Sequence, residues 1–142
     1  MTADALHAQR EHARFLVTEK NAHYILAVKN NQPGLYAQLR NLPWRQVPAA
    51  FDARERGHGR AEWRTLKVTA VAAGIGFPHA AQAIQIRRRR RLLGGGISQR
   101  WSTETSYAVT SLAASHATPA QLAAWIRDHW GIENCLADCT YG

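Results

Sequence analysis

Two acids near opposite ends of the chain have the chemistry to share metal ions. Asp4 lies in TADALHAQR and Glu133 in IRDHWGIEN. Carboxylates are hard oxygen ligands for Mg²⁺, which keeps water and binds substrate phosphates. Two such ions activate water and stabilise the leaving oxygen in phosphoryl transfer. Separation in sequence is no obstacle if adjacent elements carry the acids. Spacing alone leaves the plainer reading open, in which Asp4 starts a helix and Glu133 is a solvated acid.

A second group of residues suits phosphate. In RGHGRAEWR, His58, Arg60, Glu62 and Arg64 recur at every second position, so on a strand they share one face. Such alternation can position a phosphate backbone while Glu62 orients an arginine, or it can be a salt-bridged surface hairpin. Arg87, Arg88, Arg89, Arg90 and Arg91 run consecutively. Phosphate contact would offset their mutual repulsion, and the alternative is a solvated charge run. Lys29 follows an apolar run, where polar groups reach the mouth of an α/β site. Asn30 or Asn31 beside it reads as a helix cap. His129 precedes Glu133 by one helical turn. No HExxH pattern makes His129 a zinc ligand, so phosphate contact is its better reading.

Composition agrees with a polyanionic partner. The chain has 142 residues, a one-domain length, and its 46% hydrophobic content can supply a core. Net charge is +8 and arginine outnumbers lysine fifteen to three. Guanidinium pairs bidentately with phosphate, so this balance favours nucleic acid. Cys135 and Cys139 alone make no disulfide framework. No 18-residue apolar run and no secretory leader pattern is present, so an intracellular, cytoplasmic protein without a membrane partner is expected.

The elements that must position these residues follow from periodicity. Leu6, Ala13, Leu16 and Val17 recur at roughly helical spacing and predict a first helix after Asp4. Tyr24 to Val28 reads as a buried strand, parallel to its neighbours if it follows the usual rule for such runs. A short helix is expected from Asn30 or Asn31 to about Leu39. FDARERGHGRAEWR reads as a turn or loose loop outside the core. EWRTLKVTAVAA alternates like a strand, the apolar half of AAQAIQIRRRRRLL can enter another, GGGISQRWSTET is flexible, and SYAVTSLAA is a strand. A last helix runs from Pro119 to about Glu133, with Thr118 as cap and Leu122, Ala123, Ile126 and Trp130 as its apolar face.

In order along the chain, TADALHAQR, HYILAVKNNQPGLYAQL, RGHGRAEWRTLKV, GFPHAAQAIQI, RWSTETSYAVTSL and IRDHWGIEN resemble the ISAs1-type transposases, within the wider IS4-like group of DDE transposases. The resemblance runs to about Asn134. It implies an α/β fold with a partial ribonuclease-H-like catalytic core and a strand-rich insertion. It also implies DNA transposition by metal-dependent cleavage and strand transfer. Two aspartates and a glutamate hold Mg²⁺ (or Mn²⁺) in that family. Asp4 matches its second aspartate and Glu133 its glutamate, so both are expected to be catalytic and metal-binding.

The first family aspartate belongs upstream of TADAL, and neither Asp52 nor Asp128 has its motif context. Ile126 and His129 stand where the wider group has tyrosine and arginine, and LADCTYG departs from the family continuation. The expected organisation is therefore a truncated chain. Residues 1–43 begin the core, 44–111 form the insertion and basic loops, 112–134 carry the core helix, and 135–142 are a divergent tail. Such a chain is expected to be inactive alone. The alternatives are a noncatalytic DNA-binding or interfering fragment, or a nonfunctional remnant. Lys29, His58, Arg60, Arg64, Arg87 to Arg91 and His129 are the expected DNA contacts. The implied partners are double-stranded DNA, as transposon ends for the intact enzyme, and a full-length transposase. A nucleoid-associated location follows.

Overall fold

Tyr24 to Val28 is apolar at every position because both of its faces are covered. In the computed structural model the strand β1 (His23–Val28) lies between helices on either side of one sheet. Tyr24, Leu26 and Val28 pack with Ala13 and Leu16 of α1 (Thr2–Thr18) and with Leu35 and Leu39 of α2 (Pro33–Arg40). Ile25 turns the other way, onto Leu122 and Ile126 of α3 (Pro119–His129). Each such side chain contributes roughly 1.5–3 kcal/mol on leaving water. The structure describes residues 2–20, 22–28, 32–71, 75–93, 100–129 and 136–139, and for 2–9, 128–129 and 136–139 it describes the backbone alone.

Six strands make the sheet, in the order β2-β3-β4-β5-β1-β6. They are β2 (Phe51–Gly57), β3 (Arg60–Ala70), β4 (Gln82–Leu92), β5 (Ser102–Thr110) and β6 (Leu136–Cys139) around β1. Every pairing is antiparallel. The expectation of a parallel β1 is thus corrected. A continuous apolar run reports burial on two faces, and helices on both sides of an antiparallel sheet provide that equally well.

Several boundaries also move. Helix α1 begins at Thr2 and includes Asp4. Gln32, not Asn30 or Asn31, is the residue before α2, and those two asparagines lie outside the described residues. The segment expected to be a turn or loose loop, with a salt-bridged hairpin as the other reading of RGHGRAEWR, is a hairpin. His58 and Gly59, both at positive φ, make its two-residue turn between β2 and β3. The arginine run is neither a loop nor a strand end, because β4 continues through it to Leu92. Ser102 to Thr105 of the supposedly flexible stretch belong to β5. Cys139 belongs to a strand where only a tail was expected.

Helix α3 starts as its sequence predicts. Thr118 Oγ1 accepts from Gln121 N at 3.2 Å, and Gln121 Oε1 accepts from Thr118 N at 2.8 Å. This reciprocal box satisfies two donors at the helix start. The helix is described as far as His129, and its expected continuation through Trp130 to Glu133 lies outside the described residues. Thr110, fully buried, donates to Tyr24 O at 2.7 Å and accepts from Leu112 N at 3.1 Å, which fixes the chain where it leaves the sheet toward α3.

Candidate nucleic-acid interface

Strand alternation splits the arginines of β4. Cross-strand partners in the register project to the same face, and neighbours along a strand to opposite faces. Glu62 lies opposite Arg90 and Arg64 opposite Arg88. On that face Glu62 gathers the guanidinium groups of Arg64 at 2.9 Å, Arg88 in a short charge-assisted hydrogen bond, and Arg90 at 3.5 Å. Partial burial of Glu62 pushes its pKa up. The hydrogen bond from Arg88 and the charges of Arg64, Arg88 and Arg90 outweigh this and hold it below the ordinary carboxylate range. The same face continues to Leu66, Ile84 and Ala108 beneath α3, and Arg127 of α3 reaches Glu55 of β2 at 3.0 Å.

The opposite face carries Arg87, Arg89 and Arg91. Trp63 sits between strands there, with Arg54 from β2 at 4.2 Å and Arg89 from β4 at 4.9 Å from its ring centroid. Its indole N–H donates to Asp52 at 3.2 Å. Arg91 lies over Trp101 at 4.9 Å. Between Arg56 and Arg91 the cross-strand position is Ala61, and a cleft of about 270 Å³ opens there beside Trp63 and Trp101. Stacking on indole orients a guanidinium while leaving its edge N–H groups for an oxygen acceptor.

Of the residues singled out in the sequence, the structure brings Glu62, Arg64, Arg88 and Arg90 together. Arg60 is exposed on their face, near the hairpin tip. His58 occupies the turn, so the expectation that it shares a strand face with Arg60, Glu62 and Arg64 is corrected. Asp4 and His129 have only their backbones described, in the first turn of α1 and at the last described residue of α3. Lys29 and Glu133 lie outside the described residues. Sequence reasoning missed Arg54, Arg56, Trp63 and Trp101. The signal was present in FDARERG, whose arginines alternate before a His-Gly turn.

Among the described residues, no group of three or more His, Cys, Asp or Glu side chains could hold a metal ion. Nor is any described helix long and apolar enough to cross a membrane.

No curated protein and no solved structure matches this chain. The Transposase DDE domain family does match it, over residues 1–142. A sequence covered from end to end by that family, folded as a mixed α/β sheet with a basic arm, belongs to the Transposase DDE domain family and is a transposase-derived protein.

Proposed function

We propose that Asp4 and Glu133 are two carboxylates of a ribonuclease-H-like metal site for DNA transposition, in a chain of the ISAs1 type within the IS4-like group. The observation that carries this reading is the family match along the whole chain. DDE transposases generally use divalent metal ions, and the family implies DNA binding. Mg²⁺ or Mn²⁺, when bound, would supply Lewis acidity to the phosphodiester and an activated water. Two hard oxygen donors suit either ion.

Chain topology supports convergence of the two acids. Four residues join α1 to β1, and Ala13 and Leu16 pack against Tyr24, Leu26 and Val28. Helix and strand therefore run antiparallel, and the first turn of α1 faces the end of β1. Strand β6 enters with Leu136 opposite Leu26. Glu133 precedes Leu136 by three positions, a reach of at most about 11 Å. Lys29 follows directly on the same end of β1, where a cation would meet phosphate. Within this reading residues 1–43 and 112–134 serve the core, and 44–111 are the strand-rich insertion that supplies basic contacts.

No residue of this sequence matches the first family aspartate, so Asp4 and Glu133 are proposed as two of the site's three carboxylates, in a chain that binds transposon-end DNA. Mn²⁺ binding tests the two acids independently of activity. Affinity should drop at least tenfold in both Asp4→Ala and Glu133→Ala. Unchanged Mn²⁺ binding in both variants would overturn the site. Robust cleavage and strand joining by the isolated chain, lost in either variant, would instead require a third ligand within it.

A further inference from the structure

Five consecutive arginines look like one polybasic segment, yet the strand assigns them to two surfaces with different chemistry. We infer that the face bearing Arg54, Arg56, Arg87, Arg89 and Arg91 grips the phosphate backbone of duplex DNA, while the Arg64–Glu62–Arg88–Arg90 face serves to hold the arm in shape. This deepens the DNA-binding reading above and rests on it.

Charge separates the faces first. Among the described residues of β2 to β5, the gripping face sets its five arginines against one acid, Asp52. The other face sets Arg60, Arg64, Arg88 and Arg90 against Glu55, Glu62 and Glu104. Three of those four arginines already have a carboxylate in reach. An arginine paired in this way must surrender a charge-assisted hydrogen bond before it can take a phosphate.

Geometry separates them again. Arg87, Arg89 and Arg91 are two residues apart along β4, a spacing of roughly 6.6 Å. That is close to twice the ~3.4 Å axial spacing of phosphates along one DNA strand. Three guanidinium groups can therefore follow one backbone. Trp63 is flanked by Arg54 and Arg89, so its faces are taken by cations and serve to orient them rather than to stack a base. Trp101 does the same for Arg91. In the next row the small side chain of Ala61 leaves the cleft between Arg56 and Arg91. Glu55 and Glu62 also border this cleft, but their carboxylates are engaged by Arg127 and by the Arg64–Arg88–Arg90 group on the other face. A phosphate fits such a recess, and contacts of this kind bring affinity without base specificity.

Two charge-matched double variants of the full chain test the inference. Arg89→Gln with Arg91→Gln alters the gripping face, and Arg88→Gln with Arg90→Gln the other. Affinity for a random-sequence duplex is measured from low to moderate salt, with thermal unfolding as the check on folding. The first pair should reduce the slope of log affinity against log salt by about 1.8, some 0.9 per phosphate contact, with little change in melting. The second pair should lower the melting temperature and reduce the slope by less than half as much. Should the second pair fail to fold, Arg91→Gln against Arg90→Gln gives the same comparison with single changes. Ala61→Val fills the cleft at constant charge and should weaken binding several-fold. Wild-type binding with equal slope losses from the two pairs, or a larger loss from the second, overturns the inference alone. A wild-type chain with no salt-dependent affinity for duplex DNA overturns the DNA-binding reading as well.

Discussion

The two halves of β4 are built on different principles. From Gln82 to Gln85 every residue is buried, with α1, α2 and α3 covering the sheet. From Arg87 to Leu92 the same strand carries on at partial or full exposure. The first half is a strand because apolar faces are covered. The second is a strand because β3 and β5 complete its ladder from either side, and because its guanidinium groups find Glu62 on one face and indole rings on the other. Burial fixes the core. Cross-strand pairs and backbone hydrogen bonds fix the arm, and these leave its cations available to solvent and to a partner.

Perturbing each half should show the difference. The largest loss is expected from Ile84→Ala, at a side chain with no exposure beneath α3. Such a cavity costs about 2–5 kcal/mol, and chemical denaturation should read that loss in global stability. Glu62→Ala should cost about 1–3 kcal/mol, because its arginines lose a charge-assisted acceptor and repel one another. Hydrogen exchange should then rise in β3 and β4 near the hairpin while the amides of β1 stay protected. Uniform exchange across both regions would mean that the arm and the core unfold as one unit.

Acid should also separate the two regions. His23, at the start of β1, has its pKa held below 6.5 by burial first and then by the His116 ring, whose centroid is 4.7 Å away; the bond to Ser111 opposes this. The unfolded chain takes that proton more readily. The stability His23 contributes is thus complete above about pH 6.5 and is lost as pH falls through its lowered value. Glu62, lowered from 4.5, contributes stability above about pH 4.5 that is lost as pH falls further, through its own lowered value. Stability against pH should therefore decline in two steps. His23→Asn should flatten the upper step and Glu62→Gln the lower.

Smaller effects complete the series. Gly59 holds φ +74 in the hairpin turn, so Gly59→Ala should cost roughly 1–2 kcal/mol through backbone strain, with open space around the added methyl group. Arg127 and Glu55 are both largely exposed, and Arg127→Ala should change stability by less than about 1 kcal/mol. A larger loss would mean that this ion pair anchors α3 to the arm.

What the sequence made legible follows the same division. β1 and the start of α3 were readable because an apolar run and a Thr-Pro cap carry local signals of burial and helix initiation. Within the arm, β3 was readable from the alternation of EWRTLKVTAVAA, whereas β2 and the outer half of β4 were not, since Arg54, Arg56 and Arg87 to Arg91 are poor strand residues by composition. Their conformation comes from pairing partners far along the chain. The alternation of Arg60, Glu62 and Arg64 was visible, and it correctly joined Glu62 to an arginine. The run from Arg87 to Arg91 was read as one charge cluster because its division into two faces exists only once β4 forms. Asp4 and Glu133 stood out through the resemblance of their motifs. The β1–β6 register, which supports their convergence, had no signal in LADC.

The division of the arginine run can be read directly by chemical footprinting. The full chain would be treated with an arginine-selective dicarbonyl reagent, with and without a random-sequence DNA duplex, and modification at each position quantified by tandem mass spectrometry. DNA should protect Arg87, Arg89 and Arg91 together with Arg54 and Arg56, while Arg88 and Arg90 change little. Protection spread evenly over Arg87 to Arg91, or concentrated on Arg88 and Arg90, would contradict the assignment of DNA to one face of the arm.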